Sequence, residues 1–236
     1  MGMKRINIAI DGPSGAGKST AAKAIADELG IICLDTGAMY RAAGLKALRL
    51  GVDPCDAENA LRIMADTDVD IIYCDGVQHI MLDGEDVTDK IRTQEVAQAA
   101  SDISKIPEVR IKLAAAQRAF AQKYDVVMDG REIGTFVLPN AEYKFFVTAS
   151  VEERARRRYL ELERKGALDG KSYDDIKAQI ETRDYNDSTR EFAPLRCADD
   201  AVVIDTTNMD EAQVCAAIID LSLIHISEPT RLGMIS

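Results

Sequence analysis

Nine residues, Gly12-Pro13-Ser14-Gly15-Ala16-Gly17-Lys18-Ser19-Thr20, bring three glycines, one lysine and hydroxyl side chains into a single short bend. They fit G-x-x-x-x-G-K-[ST] at every fixed position, between an apolar run and an alanine-rich helical one, which is the context that gives the pattern physical meaning. Glycines allow backbone conformations that other residues avoid, so successive N–H groups turn inward, and the following helix adds its unpaired N–H groups and positive dipole end. Lys18 brings a mobile cation to the β and γ phosphates of a nucleotide, and the Ser19 hydroxyl is placed to ligate Mg²⁺. The competing reading is a glycine turn that merely precedes a helix. A nucleoside triphosphate site is the expectation, and the pattern says nothing of what receives the phosphate.

A second set of chemistry-bearing residues pairs arginine with small polar neighbours in four loops: "DTGAMYR" (35–41), "SDISKIPEVR" (101–110), "DGREIGT" (129–135) and "RDYNDSTR" (183–190). Guanidinium forks bind phosphate oxygens in pairs, while Asp and Ser beside them supply hydrogen bonds to a sugar and a base. Arg183, Asp187 and Arg190 share one face if their helix continues, as ligands or as an internal ion-pair cluster. Asp129 closes an apolar run and either orients Mg²⁺ through water or caps a turn. Asp35 is similar, while Met39, Tyr40 and Phe136 read as packing residues, Tyr40 set apart only by its nearness to Arg41. The charged stretch "EERARRRYLELERKG" (152–166) reads as a nucleic-acid stripe, a solvated helix face or a lid over a nucleotide. No N-K-x-D string exists to read guanine, and the two histidines, His79 and His225, give a catalytic triad or a histidine metal site little to work with.

The elements that must position these residues follow from periodicity. Strands are expected at 5–10, 31–34, 125–130, 142–149 and 201–205, and helices at 18–29, 36–50, 57–66, 93–104, 107–123, 151–165, 173–185 and 210–221. Residues 69–88 carry two apolar runs around Asp75-Gly76 and a second turn at Asp83-Gly84, a small antiparallel insert. Apolar strands alternating with helices imply a parallel sheet covered on both faces. The 236 residues suit one substantial core. A formal charge of −11 opposes a long-range pull toward nucleic acid or an anionic membrane, so any polyanion site is local. Five scattered cysteines, never in a CxxC pair, encourage neither a disulfide framework nor a zinc cluster. No run is long enough for a membrane span and no signal peptide is seen, so a cytoplasmic protein is expected. The segment 223–236 breaks the amphipathic rhythm and reads as a non-native or disordered tail.

Five stretches in order, "IDGPSGAGKST", "LDTGAMYR", "DGEDVTDKIRTQEV", "DGREIGT" and "NDSTREFAPL", closely resemble the signatures of the bacterial cytidylate kinase family, over residues 4 to about 221. The resemblance implies an α/β, P-loop NTPase-type parallel sheet with helices on both faces, plus a small nucleoside-monophosphate-binding insert and a helical lid. Within a single domain, 1–222, the insert spans about 36–123 and the lid about 152–172. The implied reaction is ATP-dependent phosphorylation of CMP or dCMP with Mg²⁺, with a UMP-type kinase or a catalytically silent nucleotide-binding module as alternatives. Carried over by position, Thr36, Arg41 and Arg131 hold the acceptor phosphate with Arg190 reaching toward it. Ser101, Arg110 and Glu132 read cytosine, and Arg183 with Asp187 holds the ribose. Lys18, Arg131, Arg190 and Asp129 make up the catalytic set, residues 12–20 surround ATP, and lid arginines such as Arg154, Arg157 or Arg158 neutralise its charge on closure. The family more often has Asp at the position of Glu132, and the extra methylene bears on base discrimination. The expected partners are small nucleotides acting on a monomer, without nucleic acid or membrane.

Overall fold

In β1 (Asn7–Asp11), Ile8 and Ile10 point one way and Ala9 the other, and all three are fully buried. A strand whose two faces are both apolar has to be sandwiched, and here each face meets its own core. Ile8 and Ile10 pack with Val127, Phe145 and Val147 against Ala21, Ala22 and Ile25 of α1 (Lys18–Leu29) and Val214 and Ile218 of α8 (Glu211–Ser227). Ala9 joins Val126 and Met128 on the opposite face, under α2 (Thr36–Arg49), α4 (Gln94–Ile103) and α5 (Pro107–Lys123). The computed structural model describes residues 5–74 and 76–227.

The main sheet is parallel throughout, in the order β2 (Ile32–Asp35), β6 (Val126–Gly130), β1, β7 (Tyr143–Thr148), β8 (Val202–Asp205). Because β1 is central and its crossover through α1 passes over β6 to reach β2, connections diverge to both sides at the β1 end. A parallel sheet binds ligands at such a switch, outside its carboxyl edge. Register completes the placement: Asp35 pairs with Asp129, and Asp11 with Gly130, so the turns after β1, β2 and β6 stand side by side.

After α2 and the short α3 (Ala57–Ala65), β3 (Val69–Cys74), β4 (Val77–Leu82) and β5 (Glu85–Asp86) form the expected antiparallel sheet, with β5 as an additional two-residue strand. Of the proposed hairpin turn, Asp75 lies outside the described residues. Ile71, Ile80 and Leu82 feed the same core as α2, which ties this sheet to the α2 face of the main sheet. The remaining helices, α6 (Val151–Arg164) and α7 (Tyr173–Thr189), share a separate small core of Ala155, Leu162, Ile176 and Ile180.

Three elements differ from the sequence expectation. Helix α7 continues past Tyr185 to Thr189, because the aromatic residue at 185 does not interrupt the ladder and Arg190 N–H still donates to the Asn186 carbonyl. Helix α8 continues past Leu221 to Ser227, five residues into the segment expected to hold no element; residues 228–236 lie outside the described part. Residues 133–137 form a π-type turn with no apolar periodicity to announce it. It is fastened from below, where the buried Asp11 carboxylate accepts from the N–H groups of Ile133 and Gly134, both at 2.7 Å. All five cysteines are free, and among the described residues no helix is long and apolar enough to cross a membrane.

Candidate active site

The phosphate loop leaves β1 through Gly12, whose φ of 146° and a Val147 carbonyl 1.9 Å from where a Cβ would stand exclude any other residue. Gly15 and Gly17 also have positive φ, so the loop's backbone curls as the sequence requires. Lys18 folds back across it, its Nζ donating to the Pro13 carbonyl at 2.6 Å. Burial, then the Arg131 guanidinium, holds the Lys18 ammonium well below its ordinary range. Ser19 Oγ donates to Asp129 Oδ2 at 2.7 Å, while Asp129 Oδ1 is buried without a partner. Burial, reinforced by nearby Asp35, pushes the Asp129 carboxyl up to about 6. Asp129 thus holds the first turn of α1 through Ser19.

Facing this loop is a layer of guanidinium groups. Arg131 Nε donates to Asp187 Oδ2 at 2.9 Å, and Arg190 NH1 reaches the other oxygen of the same carboxylate at 3.2 Å. Arg41 pairs with Asp35 at 2.6 Å. Arg183 is half-buried, its Nε is enclosed without a partner, and desolvation together with repulsion from Arg131 depresses it to about 10. Burial opposes the charge on Asp187, but Arg131, Arg183 and Arg190 outweigh it and hold that carboxyl below its usual range. Lys18, Arg131 and Arg183 therefore repel one another across a shared space, which an anion of several charges would relieve.

Behind Arg131 lies a closed polar box. Glu132, 4 % exposed, accepts from Tyr40 Oη at 3.1 Å and Arg190 NH2 at 3.2 Å, and pairs with Arg110, 2 % exposed. The Arg110 guanidinium lies 5.3 Å from the Tyr40 ring centroid and donates to the Ser104 carbonyl at 2.9 Å. Ser101 is half-buried on the preceding turn of α4, its carbonyl accepting from Ser104 Oγ.

A domain model described as cytidylate kinase matches residues 8–223. The chain belongs to the cytidylate kinase family. Among curated relatives, the cytidylate kinase of Caldicellulosiruptor bescii is 54 % identical over 219 residues, covering 93 % of this chain and 96 % of the relative. Those of Geobacillus thermodenitrificans and Pasteurella multocida are 50 % and 46 % identical, covering 92 % and 90 % of this chain and 96 % and 92 % of theirs. The protein is accordingly an enzyme of the kinase class, and its parallel sheet with helices on both faces is the fold expected of it.

Of the residues carried over from the family, Lys18, Ser19, Asp129, Arg131, Arg183, Asp187 and Arg190 gather in one interacting group, with Glu132 and Arg110 joined to it through Arg190. Two have partners of their own in this structure. The Thr36 hydroxyl, at the N-terminal end of α2, donates to the Asp129 carbonyl at 2.7 Å. Arg158, expected beside ATP, is largely exposed and pairs with Glu161 at 2.8 Å, as in a solvated helix face; its charge still adds to the repulsion on Arg183. Arg157 does turn inward, bonded to the carbonyls of Thr206 and Met209 at 2.6 and 3.1 Å. Tyr40, read from sequence as a packing residue, belongs to the Glu132 box. Gln78 was invisible: its amide accepts from Asp35 N–H at 2.9 Å and donates to Asp35 O at 3.2 Å, fastening the insert to the start of α2. A lone glutamine in a hairpin carries no signal of such a role.

Proposed function

We propose that the protein transfers the γ-phosphoryl group of ATP to CMP or dCMP, releasing ADP and CDP or dCDP. The observation that carries this reading is the convergence of the buried Lys18 with the half-buried Arg131 and Arg183, three mutually repelling cations, between a phosphate loop and the polar Glu132–Arg110 cluster. Phosphoryl transfer needs little covalent help from the enzyme, so positioning and charge stabilisation do most of the work. In this reading the loop amides of residues 12–20 hold the donor phosphates and Lys18 leaves the Pro13 carbonyl to reach the γ group. Arg131, Arg41 and Arg190 hold the acceptor phosphate in line, with Arg183 and Asp187 on the ribose.

The Glu132–Arg110 pair supplies the base discrimination. Cytosine presents an N4 amine donor where uracil presents an oxygen, so a fixed carboxylate accepts from the first and repels the second. Guanidinium donors beside it suit the ring's acceptor edge.

Ser19 Oγ and the unpartnered Asp129 Oδ1 are hard oxygen donors that fit Mg²⁺, which commonly takes one or two protein groups plus phosphate and water. Bound there, the ion would neutralise charge on the transferring phosphates. Ser19 and Asp129 would hold it, and no cluster of three or more His, Cys, Asp or Glu is found among the described residues to offer another site. A monomer as the working unit and a cytoplasmic location complete the proposal.

ADP release measured across CMP, dCMP, UMP, AMP and GMP tests the reading. Turnover restricted to the cytidine nucleotides is expected. UMP preference would select the alternative kinase, and no turnover with any acceptor would leave only a nucleotide-binding module.

A further inference from the structure

One of the lid arginines is buried and already engaged within the protein. Arg154, on the first turn of α6, is 3 % exposed and its guanidinium is divided among three separate parts of the molecule. Nε donates to the Ala149 carbonyl at 2.9 Å, NH1 to the Ser14 carbonyl at 3.2 Å, and NH2 pairs with Asp184 of α7 at 2.6 Å. With its nitrogens thus engaged it has no free fork to extend to a nucleotide. The contact with the phosphate loop is tight: a Cβ on Gly15 would stand 3.2 Å from the Cβ of Arg154, and the φ of 79° at Gly15 keeps that position a glycine.

We infer that Arg154 is a positioning residue that couples the donor and acceptor sites, an inference that rests on the kinase reading above. Ser14 forms the crest of the loop, and its carbonyl belongs to the peptide whose N–H, that of Gly15, lies within the anion cradle. A cation on a peptide oxygen polarises the unit and strengthens its N–H as a donor to an anion, since hydrogen bonds in a chain reinforce one another. Conversely, an anion on the N–H side strengthens the carbonyl's hold on Arg154. At the other end, Asp184 directly follows Arg183 and precedes Asp187 by almost one turn, so the segment Arg154 grips is the one that presents both expected ribose contacts. Asp184 Oδ1 is enclosed without a partner, and Arg154 is the cation paired with this half-buried carboxylate. Occupancy of the loop and placement of Arg183 and Asp187 are thereby joined through one guanidinium, and coupling of this kind is reciprocal.

Titration calorimetry of CMP, with and without a non-hydrolysable ATP analogue, reads the coupling directly. The wild-type chain is expected to bind CMP about fivefold more tightly, or better, when the analogue is present. Arg154→Gln and Asp184→Asn each bring that ratio close to one, and Arg154→Lys, which keeps the charge without the fork, does not restore it. A purely structural arginine would lower Tm and the active fraction without changing the ratio. If Arg154→Gln does not fold, Asp184→Asn, nearly isosteric and altered only at the α7 end, decides alone. A wild-type ratio near one, or a variant ratio equal to the wild type's, overturns the inference. Absence of CMP binding and turnover by the wild type refutes the acceptor assignment instead, and the measurement then runs with the nucleotide that the acceptor panel identifies.

Discussion

Replacing Glu132 by glutamine isolates the base-reading box from the phosphate machinery. In the folded chain Oε1 of Glu132 takes Tyr40 and Arg110, and Oε2 takes Arg190. Glutamine retains one carbonyl oxygen, which two donors draw to the Oε1 side, so its amine is left facing the Arg190 guanidinium, donor against donor. One hydrogen bond to a charged group is lost, worth about 1.5–3 kcal/mol, and Arg110 keeps a bond but loses its counter-charge. For a loss of about 2 kcal/mol, a chain of this size is expected to melt about 4–8 °C lower, which leaves it folded at assay temperature. The functional effect is separate. Removing one base-specific acceptor is worth about 1–3 kcal/mol of discrimination, so the ratio of kcat/KM for CMP over UMP falls by about 5- to 150-fold, while KM for ATP changes little. ADP release under steady-state conditions, with each acceptor in turn, measures the ratio. Glu132→Asp keeps a carboxylate and retains most of the preference. A lowered Tm with an unchanged CMP-to-UMP ratio would refute the reasoning and reduce Glu132 to an internal ion-pair partner.

The Asp129 carboxyl, raised by burial to about 6, is protonated in the folded chain between about pH 4 and 6, where the unfolded chain has released that proton. Acidification through this window thus favours the folded state as far as Asp129 is concerned, while activity, which needs the ionised form, falls below pH 6. Asp129→Asn is expected to raise Tm at pH 7, lower turnover and flatten the acid limb of kcat/KM for ATP; a limb unchanged by the substitution would assign it to Asp11, also raised to about 6 by burial. Lys18→Ala should cost about 10²-fold or more in kcat with the melting transition preserved, and near-normal rates would mean that the loop is not a phosphate site. The lid is proposed to close over the nucleotides, because its turn already touches the acceptor side: Gln94 donates to the Ala167 carbonyl at 3.0 Å and accepts from Lys171 Nζ at 2.6 Å. Limited proteolysis of residues 152–172 should slow when both substrates are bound, and equal cleavage with and without them would count against closure.

What could be read from the residues themselves is the part of this protein that depends on local physics. The phosphate loop is legible because its glycines answer a backbone demand that no other residue meets, and Gly12 and Gly15 stand where that demand is visible. Most elements are legible because apolar spacing records which faces are buried, down to the stop of α1 at Gly30. The four arginine-bearing loops point to an anion site, and five stretches in order, the phosphate loop among them, carry the family resemblance that the domain match bears out.

Partnership between distant residues has no such local trace. Nothing near position 11 says that its carboxylate will hold the turn at 133–134, nor does position 78 disclose a grip on Asp35, since each arises only when the strands are laid in register. The same holds among the lid arginines, four basic residues within five positions that look interchangeable in sequence. Packing alone separates them, turning Arg154 onto the loop and Arg157 toward β8 and leaving Arg156 and Arg158 paired at the surface. A charged side chain's role is set by which opposite charges and carbonyls surround it once water is removed, and that neighbourhood is a property of the folded chain.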